Sequence, residues 1–222
     1  MPYAGTHTFV DGTVMHCWLL NESSQELARL CQQERLPHHC EARAESRRQE
    51  LLGERLLLKH MLGVGVELQH NADRLPYLSD YQGYLSVAHT RGFLGIAFNR
   101  DHAMGIDVER YGRRVLNVRN GFLSENEKNW LQPTDEMGHL VAWTGKEAIF
   151  KTIGERALVK NYRDEIVLHP FITPQVGESL QHHGAFVAED FYLCTMLDTT
   201  LMLTFACAHC HVEQSMNLTT LI

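Results

Sequence analysis

Two acidic residues, Asp107 and Glu109, are separated by one residue in the stretch Gly105-Ile106-Asp107-Val108-Glu109. Successive side chains of a strand point to opposite faces, so a strand here would place both carboxylates side by side and turn Ile106 and Val108 into the core. Carboxylates that close together repel each other unless a proton or a cation intervenes. Such oxygen ligands suit Mg²⁺, which keeps waters or phosphate oxygens around it. The pattern indicates a metal site, with a solvated acidic edge as the alternative.

A third carboxylate lies in the run from Trp143 to Lys151, which has the pattern of a helix. At about 100° per residue, Glu147 and Lys151 fall on the otherwise apolar half of that helix, whereas Lys146 falls on the solvent-facing half. Charged groups in an apolar stripe need partners. Glu147 and Lys151 could pair with each other one turn apart. Alternatively, Glu147 could complete the metal site begun by the two strand acids.

A histidine ends another predicted strand, in Ser86-Val87-Ala88-His89-Thr90 before the turn residues Arg91-Gly92. A histidine at this position could bind a phosphate or simply cap the turn.

Several helices and strands must position these residues. Asp11-Gly12 predicts a hairpin turn within Thr6–Leu20. Capping-box patterns at Ser23/Glu26 and Ser124/Glu127 each predict the start of a helix. The remaining predictions in the first two thirds are helices from Ser23 to Leu36, 41 to 62 and 134 to 152, and strands over 84–88, 93–98 and 104–109.

The last third predicts strands over 158–168, 185–188, 191–197 and 201–212, with the final turn at Asp198-Thr199-Thr200. Helices and strands do not alternate regularly, which favours an α+β fold over a doubly wound sheet. The predicted loop from Arg110 to Val118 is the best boundary between two parts, residues 1–110 and 111–222.

The composition sets broad limits on function. The 222 residues are 44% hydrophobic and 21% charged, with a net charge of −7. No basic field for nucleic acid is expected. Neither a signal peptide nor a membrane-spanning apolar run is recognisable, so we expect a cytoplasmic protein without a membrane partner and with free thiols.

The run from Cys207 to His211 matches a c-type haem attachment pattern. A strand would place Cys207 and Cys210 on opposite faces, which disfavours a haem site and a zinc site alike.

Four of these stretches, in order, resemble the motifs of the 4′-phosphopantetheinyl transferases of the larger, surfactin-synthetase type. Residues 105–109 resemble its Gly-Ile-Asp-(Ile/Val)-Glu motif, and residues 143–151 its Trp-(Ser/Thr)-x-Lys-Glu-(Ala/Ser)-x-x-Lys motif. Residues 122–125 resemble its Phe-x-Ser-Glu element, and residues 86–90 its Ser-x-Ser-His-(Ser/Thr) segment.

The resemblance implies a role for each candidate residue. Asp107, Glu109 and Glu147 would hold Mg²⁺ on the pyrophosphate of coenzyme A. Glu147 would also be the general base, directly or through water, and Lys151 would steady the phosphate and assist the leaving group. The coenzyme A contacts would come from Arg48, Arg55, Arg74, His89 and Thr90. Two departures affect these contacts: Leu75 separates Arg74 from Pro76, and Ala88 stands where the family commonly has serine.

The implied activity is transfer of 4′-phosphopantetheine from coenzyme A to a serine of an acyl or peptidyl carrier protein, with release of 3′,5′-ADP. The implied fold has two similar-sized, pseudo-twofold-related halves, each a small antiparallel sheet with packed helices, and the implied state is a monomer. A Mg²⁺-dependent nucleotide phosphohydrolase and an inactive coenzyme A-binding module are the competing hypotheses.

Overall fold

The computed structural model describes residues 3–9, 11–63, 65–66, 68–71, 75–79, 81–112 and 114–208. The strands are β1 (Tyr3–Thr8), β2 (Val14–Leu19), β3 (Leu68–His70), β4 (Pro76–Leu78), β5 (Tyr84–Thr90), β6 (Phe93–Asn99), β7 (Met104–Arg110), β8 (Ile166–Leu168), β9 (Ser179–Phe186), β10 (Glu189–Leu197) and β11 (Leu201–Cys207). The helices are α1 (Ser24–Gln33), α2 (Glu45–Leu62), α3 (Arg114–Phe122), α4 (Glu125–Trp130), α5 (Glu136–Ile153) and α6 (Tyr162–Glu165), with a 3₁₀ turn over Arg156–Leu158.

The first sheet is antiparallel, with strand order β1-β2-β6-β5. Its first hairpin turns where predicted, and Asp11 Oδ1 accepts a hydrogen bond from the backbone N–H of Thr13 at 2.9 Å. The capping box of Ser23 and Glu26 is confirmed at the start of α1. Helix α2 packs on this sheet and α1 packs on α2, and all three contribute to a core that includes Trp18 and Leu94.

Helix α2 ends where its sequence predicts. Gly63 has a φ of 73°, the left-handed conformation that glycine adopts without steric cost, and its N–H donates to Lys59. The helix begins at Glu45, four residues later than the prediction of 41.

The second sheet has the order β7-β11-β10-β9-β8, also antiparallel, and α5 packs across it. Asp198 closes the β10–β11 turn by accepting hydrogen bonds from the backbone of Thr200 and Leu201. The capping box of Ser124 and Glu127 is confirmed at α4.

Three local predictions are wrong. The strand predicted over 185–188 is the end of β9 followed by a turn at residues 187 and 188. The strand predicted over 158–168 is a 3₁₀ turn, helix α6 and the short strand β8, because Asn161 caps α6 by accepting from the N–H of Asp164. The loop predicted over 110–118 contains the start of α3 at Arg114.

The two sheets share one core at the junction of β5 and β7. Phe9 stacks on Phe205 with ring centroids 3.9 Å apart, and buried Phe93, Ile106 and Met196 belong to the same cluster. This mixed architecture of helices and antiparallel sheets confirms the α+β class.

Within the described part of the chain, no helix is long and apolar enough to cross a bilayer. Cys17, Cys31, Cys40 and Cys194 have free thiols, as expected. Cys207 is disulfide-bonded, which corrects the expectation of a free thiol there. Residues 209–211 of the haem-like pattern lie outside the described residues.

Candidate active site

Strand β7 places the two acidic residues as its alternation predicts. Ile106 and Val108 are buried in the shared core, and Asp107 and Glu109 project from the opposite face of the strand. Because β7 is an edge strand of the second sheet and lies beside β5, these carboxylates sit where the two sheets meet.

The two oxygens of Asp107 have different surroundings. Oδ1 accepts a hydrogen bond from Lys151 Nζ at 2.8 Å, and the same ammonium group donates to the backbone carbonyl of Ile106 at 2.9 Å. Oδ2 is buried and has no hydrogen-bond partner. A buried carboxylate oxygen without a partner is costly, so this atom is suited to a ligand that supplies positive charge or a proton.

Glu109 is held by an aromatic donor. Trp143 Nε1, on α5, donates to Glu109 Oε1 at 3.1 Å. Burial raises the pKa of Glu109, and the negative charges of Asp107 and Glu147 raise it further, against the opposing effects of Trp143 and Lys151. Of these two repulsive effects, that of Asp107 on the same strand is the larger and that of Glu147 on α5 the smaller.

Glu147 has a corresponding donor on α6. Tyr162 Oη donates to Glu147 Oε1 at 2.7 Å. Burial raises the pKa of Tyr162 far above its usual value, with the charge of Glu147 as the next contribution, so the hydroxyl stays protonated and acts as a donor. Each of the three acids thus has one oxygen fixed by a donor of the protein: Lys151 for Asp107, Trp143 for Glu109 and Tyr162 for Glu147.

His89 faces this group from β5. Its Nδ1 lies 3.4 Å from Glu50 Oε1 on α2. Burial lowers the pKa of His89, while Glu50 opposes that effect and Arg47 and Lys151 add to it. Thr90 follows at the end of β5 and is partly buried.

A cavity of about 350 Å³ opens between α2, β5 and β7. Its polar lining comprises Arg47, Glu54, His70, Ser86, His89, Asp107, Glu109 and Lys151. Glu147 is not among the lining residues. Burial raises the pKa of Glu54 in this wall to about 7, with Arg47 opposing the shift.

Glu109 also borders a second cavity, of about 650 Å³. Val115, Val118, Leu140 and Trp143 give this cavity a largely apolar wall between α3 and α5. Glu109 is therefore placed between a polar cavity on one side and an apolar cavity on the other.

The structure does not bring every predicted residue to the polar cavity. Arg48 bonds Glu45, Ser24 and the carbonyls of residues 42 and 43, and it lines a different cavity. Arg55 donates to the carbonyls of Pro37 and His39. Arg74 lies outside the described residues.

Arg47 faces the polar cavity instead, and the sequence prediction missed it. Arg47, Glu50 and Glu54 are spaced three and seven residues apart, so they share one face of α2. Arg47 Nη1 lies 2.9 Å from Glu50 and 3.8 Å from Glu54. This spacing was visible in the sequence and could have identified this face of α2 as a wall of the site.

The placement of Lys146 on the solvent-facing side is wrong. Its side chain is fully buried, and Nζ donates to Glu127 Oε2 and to the carbonyls of Phe122 and Arg163 at 2.7 to 2.8 Å. Glu127 Oε1 in turn accepts from the N–H of Leu168. A buried lysine is stable only when its donors are all satisfied, and these partners come from segments distant in sequence.

Among the described residues, no group of three or more histidine, cysteine, aspartate or glutamate side chains forms a preformed metal cage. Mg²⁺ is normally bound by one or two carboxylates together with waters and substrate phosphates, so a cage is not required. The unpartnered Oδ2 of Asp107 beside Glu109 fits such an ion.

Two comparisons with known proteins point to one superfamily. A family model described as "4′-phosphopantetheinyl transferase superfamily" matches residues 103–196. The match covers less than half of the 222 residues. It confirms the resemblance predicted from the motifs, and the matched segment contains Asp107, Glu109, Glu147, Lys151 and Tyr162. His89 and the arginines of α2 lie upstream of it.

A curated relative, the 4′-phosphopantetheinyl transferase gsp of Aneurinibacillus migulanus, is 28% identical over 115 residues. The match covers 47% of this chain and 48% of the relative, so the chain spans about half the length of the transferase it matches.

Proposed function

We propose that the protein transfers 4′-phosphopantetheine from coenzyme A to a serine hydroxyl of a carrier protein and releases 3′,5′-ADP. The observation that carries this proposal is the group of carboxylates at the sheet junction, with one buried oxygen of Asp107 unpartnered, inside a segment of the phosphopantetheinyl transferase superfamily.

Asp107, Glu109 and Glu147 would hold the divalent ion, which we propose is Mg²⁺. When bound, the ion would neutralise pyrophosphate charge and favour in-line displacement. Lys151, already fixed by Asp107 and the carbonyl of Ile106, would direct its positive charge toward the leaving phosphate. Glu147 would accept the proton of the attacking serine, directly or through water.

The polar cavity would hold the nucleotide end of coenzyme A. His89 and Arg47, which line this cavity, would contact its phosphates, with Thr90 beside His89. Arg47 suits this task because its forked donors match phosphate oxygens. Arg48 and Arg55 stay predictions for the 3′-phosphate, and Arg74 stays a prediction for a coenzyme A contact. The apolar cavity on the other side of Glu109 is the best place for the pantetheine arm, which is long, uncharged and flexible.

At the level of the whole chain, we propose a cytoplasmic monomer with the site between two halves, residues 1–110 and 111–222. The two antiparallel sheets, each covered by a long helix, support a pseudo-twofold relation between the halves. Carrier proteins are acidic around their serine, so we expect a locally basic or apolar docking face.

Two variants test the roles of the carboxylates in loading apo carrier protein with coenzyme A and Mg²⁺. Glu147→Gln should lower the rate roughly 10²- to 10⁴-fold, the usual contribution of a general base. Asp107→Asn should lose Mg²⁺ activation together with activity. Circular dichroism would verify that both variants fold.

Full activity of folded Glu147→Gln would remove Glu147 from the mechanism, and an unchanged Mg²⁺ titration of Asp107→Asn would remove the metal site. Release of 3′,5′-ADP without carrier modification would favour the phosphohydrolase hypothesis. Coenzyme A binding without turnover would favour the inactive binding module.

A further inference from the structure

Tyr162 is not part of the motifs that predicted the site, yet it contacts one of their acids. The residue opens α6, and its hydroxyl donates to Glu147 Oε1 at 2.7 Å. Its ring packs on two aromatic side chains of α5: Phe150, at 5.6 Å between centroids, and Trp143, at 6.5 Å. Those residues lie three positions after and four positions before Glu147, so they flank it on one face of the helix.

A second hydrogen bond joins α6 to α5, next to the bond between Tyr162 and Glu147. Lys146 Nζ donates to the carbonyl of Arg163 at 2.8 Å, while Tyr162 donates to Glu147. Lys146 and Glu147, adjacent on α5, thus donate or accept hydrogen bonds with Arg163 and Tyr162, adjacent on α6. Because Lys146 is also held by Glu127 of α4 and by the carbonyl of Phe122 of α3, its bond to Arg163 connects α6 to those helices as well.

We propose that Tyr162 is a positioning residue, which fixes the plane of the Glu147 carboxylate so that Glu147 faces the divalent ion and the attacking hydroxyl. This inference rests on the proposed function. A glutamate side chain has three rotatable bonds, and a helix backbone alone does not determine where its oxygens point. The phenol hydroxyl fixes one oxygen, as Trp143 does for Glu109 and Lys151 for Asp107. Partners of this kind orient metal ligands in many sites.

The test compares Tyr162→Phe with the wild type. The variant keeps the ring and its packing and removes only the hydroxyl. We expect kcat for carrier loading to fall roughly 10- to 100-fold, with the KM for coenzyme A unchanged, since this is the usual cost of removing such a partner. Calorimetric titration of Mg²⁺ into the coenzyme A complex should show weaker metal binding by a similar factor.

Two further variants separate positioning from general loosening of the fold. Tyr77→Phe controls for the chemical change alone, because the exposed Tyr77 makes a hydrogen bond of the same length, 2.7 Å, from its Oη to Gln69; it should keep wild-type kcat and Mg²⁺ affinity. In a Glu147→Gln background, Tyr162→Phe should weaken Mg²⁺ binding no further, because a residue that acts through Glu147 has no effect once Glu147 is changed.

Wild-type kcat and Mg²⁺ affinity in Tyr162→Phe would overturn the positioning role. So would an additional loss of Mg²⁺ affinity in the double variant. Absence of carrier loading by the wild type would refute the proposed function instead, and the Mg²⁺ titrations would still decide whether Tyr162 acts through Glu147.

Discussion

At the scale of the residue, the cations around the polar cavity are paired, and one buried carboxylate oxygen has no partner. Lys151 satisfies one oxygen of Asp107 and leaves the other, while Arg47 lies between Glu50 and Glu54 at 2.9 and 3.8 Å. A divalent ion would supply the partner that Asp107 Oδ2 lacks.

The burial of Glu54 in the wall of the polar cavity can be tested without measuring activity. Its pKa in the folded protein is raised from 4.5 to about 7, mainly by burial. The folded state therefore binds the proton more tightly than the unfolded chain. The resulting stabilisation is fully present below about pH 4.5 and is lost as the pH rises through about 7.

We expect the free energy of unfolding of the wild type to fall, relative to that of Glu54→Gln, by up to about 3 kcal/mol between pH 4.5 and pH 8. Urea unfolding of both proteins at several pH values would measure the difference. Parallel pH dependence of the two proteins would show that Glu54 titrates normally.

Residues of the site were predictable where one element determines them. Strand alternation placed Asp107 and Glu109. Helical periodicity put Glu147 and Lys151 in the buried stripe of α5, but both are only partly buried and are among the least buried residues of that helix. Lys146 was misplaced because its partners, Glu127 and the carbonyls of Phe122 and Arg163, come from three other segments. No periodicity within one helix contains that information.

At the scale of the element, the site depends on how closely β7 approaches α5. Gly105 makes this approach possible, since a Cβ atom there would collide with the carbonyl of Ala148 and with Thr152. The close contact brings Asp107 within reach of Lys151 and Glu109 within reach of Trp143.

Gly105→Ala should therefore separate β7 from α5. We expect a loss of about 2 kcal/mol or more in the free energy of unfolding, together with a loss of carrier loading. Gly121→Ala, on α3, is the control: a Cβ there meets no atom within 4 Å, and the change should stabilise the helix by up to about 1 kcal/mol. Equal stability of Gly105→Ala and the wild type would refute the close-packing argument.

Elements were predictable where a local signal begins or ends them. The capping boxes at Ser23 and Ser124 and the glycine at 63 marked helix ends correctly. The region before β8 was misread as part of one strand over 158–168, whereas the cap by Asn161 and the contacts of Tyr162 with α5 favour a helical turn.

At the scale of the whole molecule, the site exists only because two sheets meet. His89 comes from the first sheet, Asp107 and Glu109 from the second, and the N–H of Ile106 donates to Ser86 Oγ across the junction at 3.0 Å. The strand order was not predictable from local patterns, since pairing β7 with β11 joins residues about a hundred positions apart. The motif resemblance supplied the expectation that these distant stretches converge.

The central claim is that the residues brought together at this junction transfer phosphopantetheine to a carrier protein. Intact-mass measurement of the carrier protein tests this claim most directly. The purified chain would be incubated with coenzyme A and a panel of apo acyl and peptidyl carrier proteins, with Mg²⁺ or with a chelator. We predict that at least one carrier gains the mass of a single phosphopantetheine group, only when Mg²⁺ is present and only when its serine is intact. Unchanged masses for every carrier, with a folded chain and Mg²⁺ in excess, would contradict the account.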